Sequence, residues 1–222
     1  MCYHGAVAIF EKAMTNEDVP ELQSIWDEAR ALIEQGDYDK AIEIYRYILI
    51  RYSDEPIAVE HANAYLGNIF LTLRKLNAAE EHIKKAITLK PEKPGYHYIL
   101  GFTYSIERRW DEAILEFEKA LEEEPGNGEY LRGLGWAIYS SGDVARGLSY
   151  LEEANRLQPA SANIMTDLAV AHFSSLNVDK ALEYAEKAVL IDPANAIAQD
   201  VLRRVRSFSK GFRRQHDTTE TA

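Results

Sequence analysis

Cysteine is almost missing from this chain. Cys2 is the only one in 222 residues, so no internal disulfide can form and the disulfide-stapled secreted class is excluded. A reducing compartment fits, and the cytoplasm is the expected location. Long apolar runs are missing too; none approaches the roughly 20 residues that cross a bilayer. The opening MCYHGAVAIF has a short apolar stretch but no basic flank and no clear cleavage site, which argues against a secretion signal. Positive charge is scarce, with 25 Lys and Arg against 36 Asp and Glu and a formal charge of −11. The one basic patch lies at the end, where Arg203, Arg204, Arg206, Lys210, Arg213 and Arg214 outnumber Asp200, Asp217 and Glu220. An acidic body offers no stripe to neutralise phosphates, so no nucleic-acid partner is expected. The basic run reads as the solvated side of a closing helix, with a salt-sensitive contact to acidic lipid or nucleic acid as the weaker reading.

The usual carriers of chemistry are also missing. The chain has no glycine-rich phosphate loop, no zinc-type Cys/His spacing and no Ser/His/Asp grouping in a strand–turn–helix context. His61, His82, His97 and His172 form no HxxH or HxxxH pair, and His97 and His172 fall at interior positions, where a histidine is usually structural. No catalytic residue, metal site or cofactor is expected, and the chain reads as a non-enzyme.

What the chain does have is a period. Gly67, Gly101, Gly135 and Ala169 recur every 34 residues, as do Ala86, Ala120, Ala154 and Ala188, and Pro91, Pro125, Pro159 and Pro193. A fixed step of this size marks a helical solenoid built from repeated helix pairs. The units read as 22–59, 60–93, 94–127, 128–161 and 162–195, with a capping helix over 196–209 and a disordered tail over 210–222. Residues 1–21 form an N-terminal segment in which Val7, Phe10 and Met14 share one face of a short amphipathic helix over 5–14. The register slips once: Ala41 to Ala79 is 38 residues, and the extra four suggest a longer second helix through Ile48–Arg51.

Local chemistry supports the period. Gly36-Asp37 and Gly142-Asp143 read as turns, the glycine closing one helix in the left-handed conformation and the aspartate capping the next. Tyr38, Leu76, Trp110, Val144 and Val178 follow the turns in register. The small residues at 67, 101, 135 and 169 face Ala79, Ala113, Gly147 and Ala181, which lets paired helices approach closely.

These residues together resemble the tetratricopeptide-repeat family over about 22–209. The match departs from the family pattern where its usual tryptophan is replaced by Asn63, His97, Leu131 and Met165. The resemblance implies an all-α, right-handed superhelix of antiparallel helix pairs whose first helices line a concave groove, commonly filled by an extended peptide or a helix of a partner protein. Catalysis is not a property of such repeats.

Placing the register on the first helices gives the groove-facing positions three before, one after and four after each small residue. They are Trp26, Arg30 and Ile33; Ala64, Asn68 and Leu71; Tyr98, Phe102 and Ser105; Arg132, Trp136 and Tyr139; Thr166, Val170 and Phe173. Asn68, Tyr98, Phe102, Arg132, Trp136, Tyr139 and Phe173 are the candidate partner-binding residues, since aromatics with an arginine have the composition of a binding hot spot. Arg132 is expected to meet an acidic group of the partner. The bland alternative is that the aromatics merely thicken contacts between neighbouring first helices. Asn68 matches one position of the two-carboxylate clamp of chaperone-binding members, but Ala64, Ile99, Glu129 and Gly133 stand where its other residues belong, so that clamp is absent. The leading expectation is an interaction scaffold for another protein. The alternative is a self-assembling scaffold in which residues 5–14 of a second copy fill the groove.

Overall fold

The computed structural model describes residues 20–217, with side chains for 21–210. The amphipathic helix expected over 5–14 lies outside the described residues. The chain is all helix among those residues, in eleven helices, and divides into two compact regions at Pro125–Gly126.

The region up to Pro125 holds three helix pairs: α1 (Pro20–Glu34) with α2 (Tyr38–Arg51), α3 (Pro56–Thr72) with α4 (Leu76–Leu89), and α5 (Pro94–Ile106) with α6 (Trp110–Glu123). Each pair is antiparallel, and α2 also packs on α3 and α4 on α5. The core runs through the small positions, with Ala29, Ala41, Ala79, Ala86, Ala113 and Ala120 all fully buried. Between them sit Tyr45 stacked on Tyr65 at 5.0 Å, and Leu66, Ile83, Leu100 and Phe117 at 3% exposure or less. Gly67 is glycine because a Cβ there would lie 2.4 Å from Ile83.

The region from Gly126 holds α7 (Gly128–Ser141) with α8 (Val144–Leu157), α9 (Ala162–Ser174) with α10 (Val178–Ile191), and α11 (Ala196–Asp217) packed on α9 and α10. Leu134, Leu151, Leu168, Ala169, Ala185 and Ala188 fill its interior. Gly135 and Gly147 face each other, and a Cβ on Gly147 would sit 2.4 Å from the backbone nitrogen of Tyr139. Helix α11 runs past the expected end at 209, so residues 210–217 are helix rather than disordered tail.

One turn is used five times. Residues 36, 74, 108, 142 and 176 all take positive φ, from 59° at Arg74 to 114° at Gly142. Each is followed by an amide that reaches back to close the preceding helix, as in Asp37 N to Leu32 O at 2.8 Å and Asn177 N to His172 O at 2.9 Å. The second helices then begin at Tyr38, Leu76, Trp110, Val144 and Val178. Asp37, Asp143 and Asn177 accept amides of their own helix starts, as N-caps do.

The four extra residues lie elsewhere than expected. Helix α2 has 14 residues, like α4, whereas α3 has 17 against 13 in α5. The insertion adds about one turn, 3.6 residues, to the start of α3. Pro56 at its first position explains why: proline can open a helix there but cannot lie within one.

Candidate functional site

The candidate residues lie on first helices, and the two regions treat them differently. Up to Pro125 the face is closed. Asn68 is 5% exposed and Tyr98 and Phe102 are each 8% exposed, so the expected open aromatic surface is not there. Helix α3 is buried on every side from Glu60 to Leu71, and α5 from Gly95 to Tyr104. Tyr98 is not surplus to the core; its ring packs at 5.8 Å on the core ring of Phe117 and at 5.9 Å on Phe102.

This buried face is polar in an unusual way. Four side-chain atoms along it have no hydrogen-bond partner among the described residues: Trp26 Nε1, His61 Nδ1, Asn68 Oδ1 and Ser105 Oγ. His61 continues the stripe of Ala64, Asn68 and Leu71 by helical spacing, and Trp26 packs on it at 5.8 Å. Desolvation pulls the His61 imidazole below its ordinary range, which keeps it neutral.

Several polar groups elsewhere in this region are paired, although the buried Tyr45 hydroxyl has no hydrogen-bond partner among the described residues. The Tyr96 hydroxyl donates to Glu60, and burial with that carboxylate pushes the phenol well up. His82 Nδ1 lies 2.8 Å from Asn63 Oδ1. His97, read as structural, has Nδ1 2.6 Å from Glu116 and Nε2 2.8 Å from the carbonyl of Pro91. Desolvation opposes its charge, but the Glu116 and Pro91 bonds outweigh it and raise the imidazole. Glu116, desolvated yet bonded to His97 and Lys119, is held below the usual carboxylate range.

From Gly126 the first-helix face is partly open. Trp136, Tyr139, Val170 and Phe173 are half-buried. The Trp136 and Tyr139 rings stack at 5.7 Å and 18°, and the Tyr139 hydroxyl reaches the carbonyl of Ala171 at 3.4 Å. Phe173 meets Phe208 of α11 edge-on at 5.3 Å. Arg132 differs from expectation: its guanidinium is already engaged, Nε with Glu129 at 2.8 Å and Nη1 with Asp167 at 2.8 Å, and only 12% of its side chain is exposed. Burial pushes Asp167 up, partly offset by Arg132. The pair ties α7 to α9, so the arginine is spent within the fold.

The structure thus brings Tyr98 and Phe102 together in one region, and Trp136 and Tyr139 together in the other, with Phe173 held by α11. Sequence reasoning missed Asp167 and His61. Asp167 was findable, since it stands one residue past the Arg132 column one repeat later. His61 needed the extra turn of α3, which the slip in register disguised. Among the described residues no three His, Cys, Asp or Glu side chains group as a metal site would require, and no helix is long and apolar enough to cross a membrane.

Comparison with known proteins agrees with this geometry. The model of the tetratricopeptide repeat matches residues 26–97, 107–162 and 139–196, well over half of the chain. The mouse (Mus musculus) tetratricopeptide repeat protein 21B is 26% identical over 132 residues, 60% of this chain but only 10% of that protein. Among solved structures, TTC0263 of Thermus thermophilus, a thermophilic protein of the same repeat, superposes with a TM-score of 0.69 at 21% identity, covering 84% of this chain and 97% of that one. YrrB, described as having an unusual peptide-binding site, superposes with a TM-score of 0.57 at 21% identity, covering 81% and 90%. At these identities the structural likeness speaks for the fold alone. With the 34-residue period, the five repeated turns and the family match in agreement, the chain belongs to the tetratricopeptide-repeat family.

Proposed function

We propose that this chain is a non-catalytic protein-interaction scaffold whose first-helix faces take an extended or helical, largely apolar segment of a partner protein. The observation that carries this reading is the partly exposed cluster of Trp136, Tyr139 and Phe173 on α7 and α9. Large rings that the core does not need in full are the residues on which interface energy concentrates. Arg132, engaged by Glu129 and Asp167, joins the two helices that carry the cluster rather than meeting the partner's charge. Asn68, Tyr98 and Phe102 belong to the same reading as the covered part of the surface. The peptide-binding site of YrrB supports the class of ligand, not its identity. The single cysteine suits work in a reducing compartment such as the cytoplasm.

The test is a displayed random-peptide library selected on the full chain, followed by affinity of the best binder for Trp136→Ala. A loss of roughly 2 kcal/mol is expected, a typical hot-spot value, with helical content unchanged. Unchanged affinity would sink the assignment of the face.

A further inference from the structure

The closed face of α1, α3 and α5 asks what closes it. Buried polar atoms without partners cost about 1–3 kcal/mol each, and native folds carry few of them. Trp26 and Asn68, at 2% and 5% exposure, each hold one on this face, with His61 and Ser105 beside them. Among the described residues α3 is flanked by α2, α4 and α5, with Trp26 of α1 at its start. A helix so flanked still has a side toward the groove, and Ala64, Asn68 and Leu71 on that side are 0%, 5% and 1% exposed. Donor and acceptor groups lined up beside Leu71, Tyr98 and Phe102 describe the complement of a polypeptide: apolar side chains to bury, and polar groups to pair.

We propose that residues 5–14 of the same chain occupy this face, with Val7, Phe10 and Met14 turned onto Leu71, Tyr98 and Phe102. This rests on the reading of first-helix faces as binding surfaces and names the occupant of one of them. The segment has the required character, an apolar stripe interrupted by Glu11 and Lys12. It is also within reach. Five residues, 15–19, separate it from Pro20 at the start of α1 and extend about 17 Å, while neighbouring helices pack about 8–10 Å apart. A tether this short gives an effective concentration of about millimolar, far above that of a second copy in dilute solution. A foreign partner for this face must therefore displace the segment first.

The test uses a synthetic peptide of residues 1–19, carrying a fluorophore on its single cysteine, and titrates it by anisotropy against the full wild-type chain and the full-length Phe10→Asp variant. Occupation in cis predicts binding to Phe10→Asp at least about tenfold tighter than to wild type, because the intact segment competes for the face. Ser105→Arg, placed at the rim of the face in the Phe10→Asp background, should weaken that binding about tenfold. Circular dichroism confirms that each variant keeps its helix. Equal affinity for wild type and Phe10→Asp, or no binding to either, overturns the proposal, as does binding that Ser105→Arg leaves untouched. Light-scattering mass decides the source: a wild-type monomer is expected, and a dimer that Phe10→Asp dissolves would overturn occupation in cis in favour of a second copy. A peptide that binds as expected while no foreign segment is ever selected leaves this inference standing and removes the reading it grew from.

Discussion

The two regions share a register and differ in their outer faces. Up to Pro125, α3 and α5 are buried all round, and Trp26, His61 and Asn68 hold polar atoms without partners among the described residues. From Gly126, the equivalent face of α7 and α9 keeps Trp136, Tyr139, Val170 and Phe173 only half-buried, and its charges are already paired through Arg132, Glu129 and Asp167. The inward face cannot diverge in this way, because the small residues there set how near the paired helices lie. The difference teaches that the repeat constrains one side of each helix and leaves the other free to vary.

The strongest way to test that division is to disturb the inward contacts of each region. Gly147→Ala would drive a Cβ to 2.4 Å from the Tyr139 backbone, which cannot move without shifting α7 against α8. We expect a loss of about 3 kcal/mol, the upper end for overpacking, in urea-induced unfolding. Gly67→Ala meets Cγ1 of the Ile83 side chain, also at 2.4 Å, a contact that a change of side-chain rotamer can relieve where the Tyr139 backbone cannot move. Its cost should be smaller, about 1–2 kcal/mol. An equal or larger loss at Gly67 would mean that the region up to Pro125 is the more tightly packed, and the comparison would invert.

A second separation is by pH. His97, raised by Glu116 and Pro91 against desolvation, contributes stability that is present below its unfolded pKa, near 6.5, and lost as pH rises through the folded value. Glu116, held low, contributes above about 4.5 and loses this as pH falls through its folded value. The pair is therefore at its best between about pH 4.5 and 6.5. His172 behaves oppositely: desolvation and Lys180 lower it, so its contribution is complete above about 6.5 and is lost as pH falls. With His97→Gln and His172→Gln as references, the wild-type advantage over the first should shrink between about pH 5.5 and 8.5 and that over the second should grow. Parallel curves for both variants would show that the two histidines do not sit in opposed environments.

Much of this was legible in the sequence because the period repeats the same physical demand. A residue such as Leu134 or Ala154 must be apolar or small wherever a neighbouring unit packs on it, and four units in phase state that demand four times. The turns were legible where glycine marks them, at Gly36 and Gly142, and through Tyr38 and its equivalents elsewhere. The outer faces were less legible. Register says that Phe102 and Trp136 hold the same position, yet one is 8% exposed and packs on Tyr98 while the other is half-buried and stacks on Tyr139. Burial there depends on what covers each face, and no helical spacing encodes that. The Arg132–Asp167 pair and the extra turn of α3 were missed for a related reason: each is a relation between units, not a feature of one.

The smallest expected effect tests what the regions should share. Arg108 and Leu176 stand where Gly36 and Gly142 stand in other units, at φ of 61° and 60°. A side chain in the left-handed region costs about 1–2 kcal/mol, whereas glycine there is unstrained but frees the unfolded chain, returning about 0.4–1 kcal/mol of the gain. Leu176 is 74% exposed and Arg108 is exposed, so neither side chain gives up much packing on removal. Arg108→Gly in one region and Leu176→Gly in the other should each stabilise by about 0.5 kcal/mol. Both gains would be read as shifts of the urea midpoint at unchanged slope. If the turn is one device common to both regions, the two gains agree. A gain at Leu176 with a loss at Arg108 would show that the divergence reaches past the outer faces into the turns.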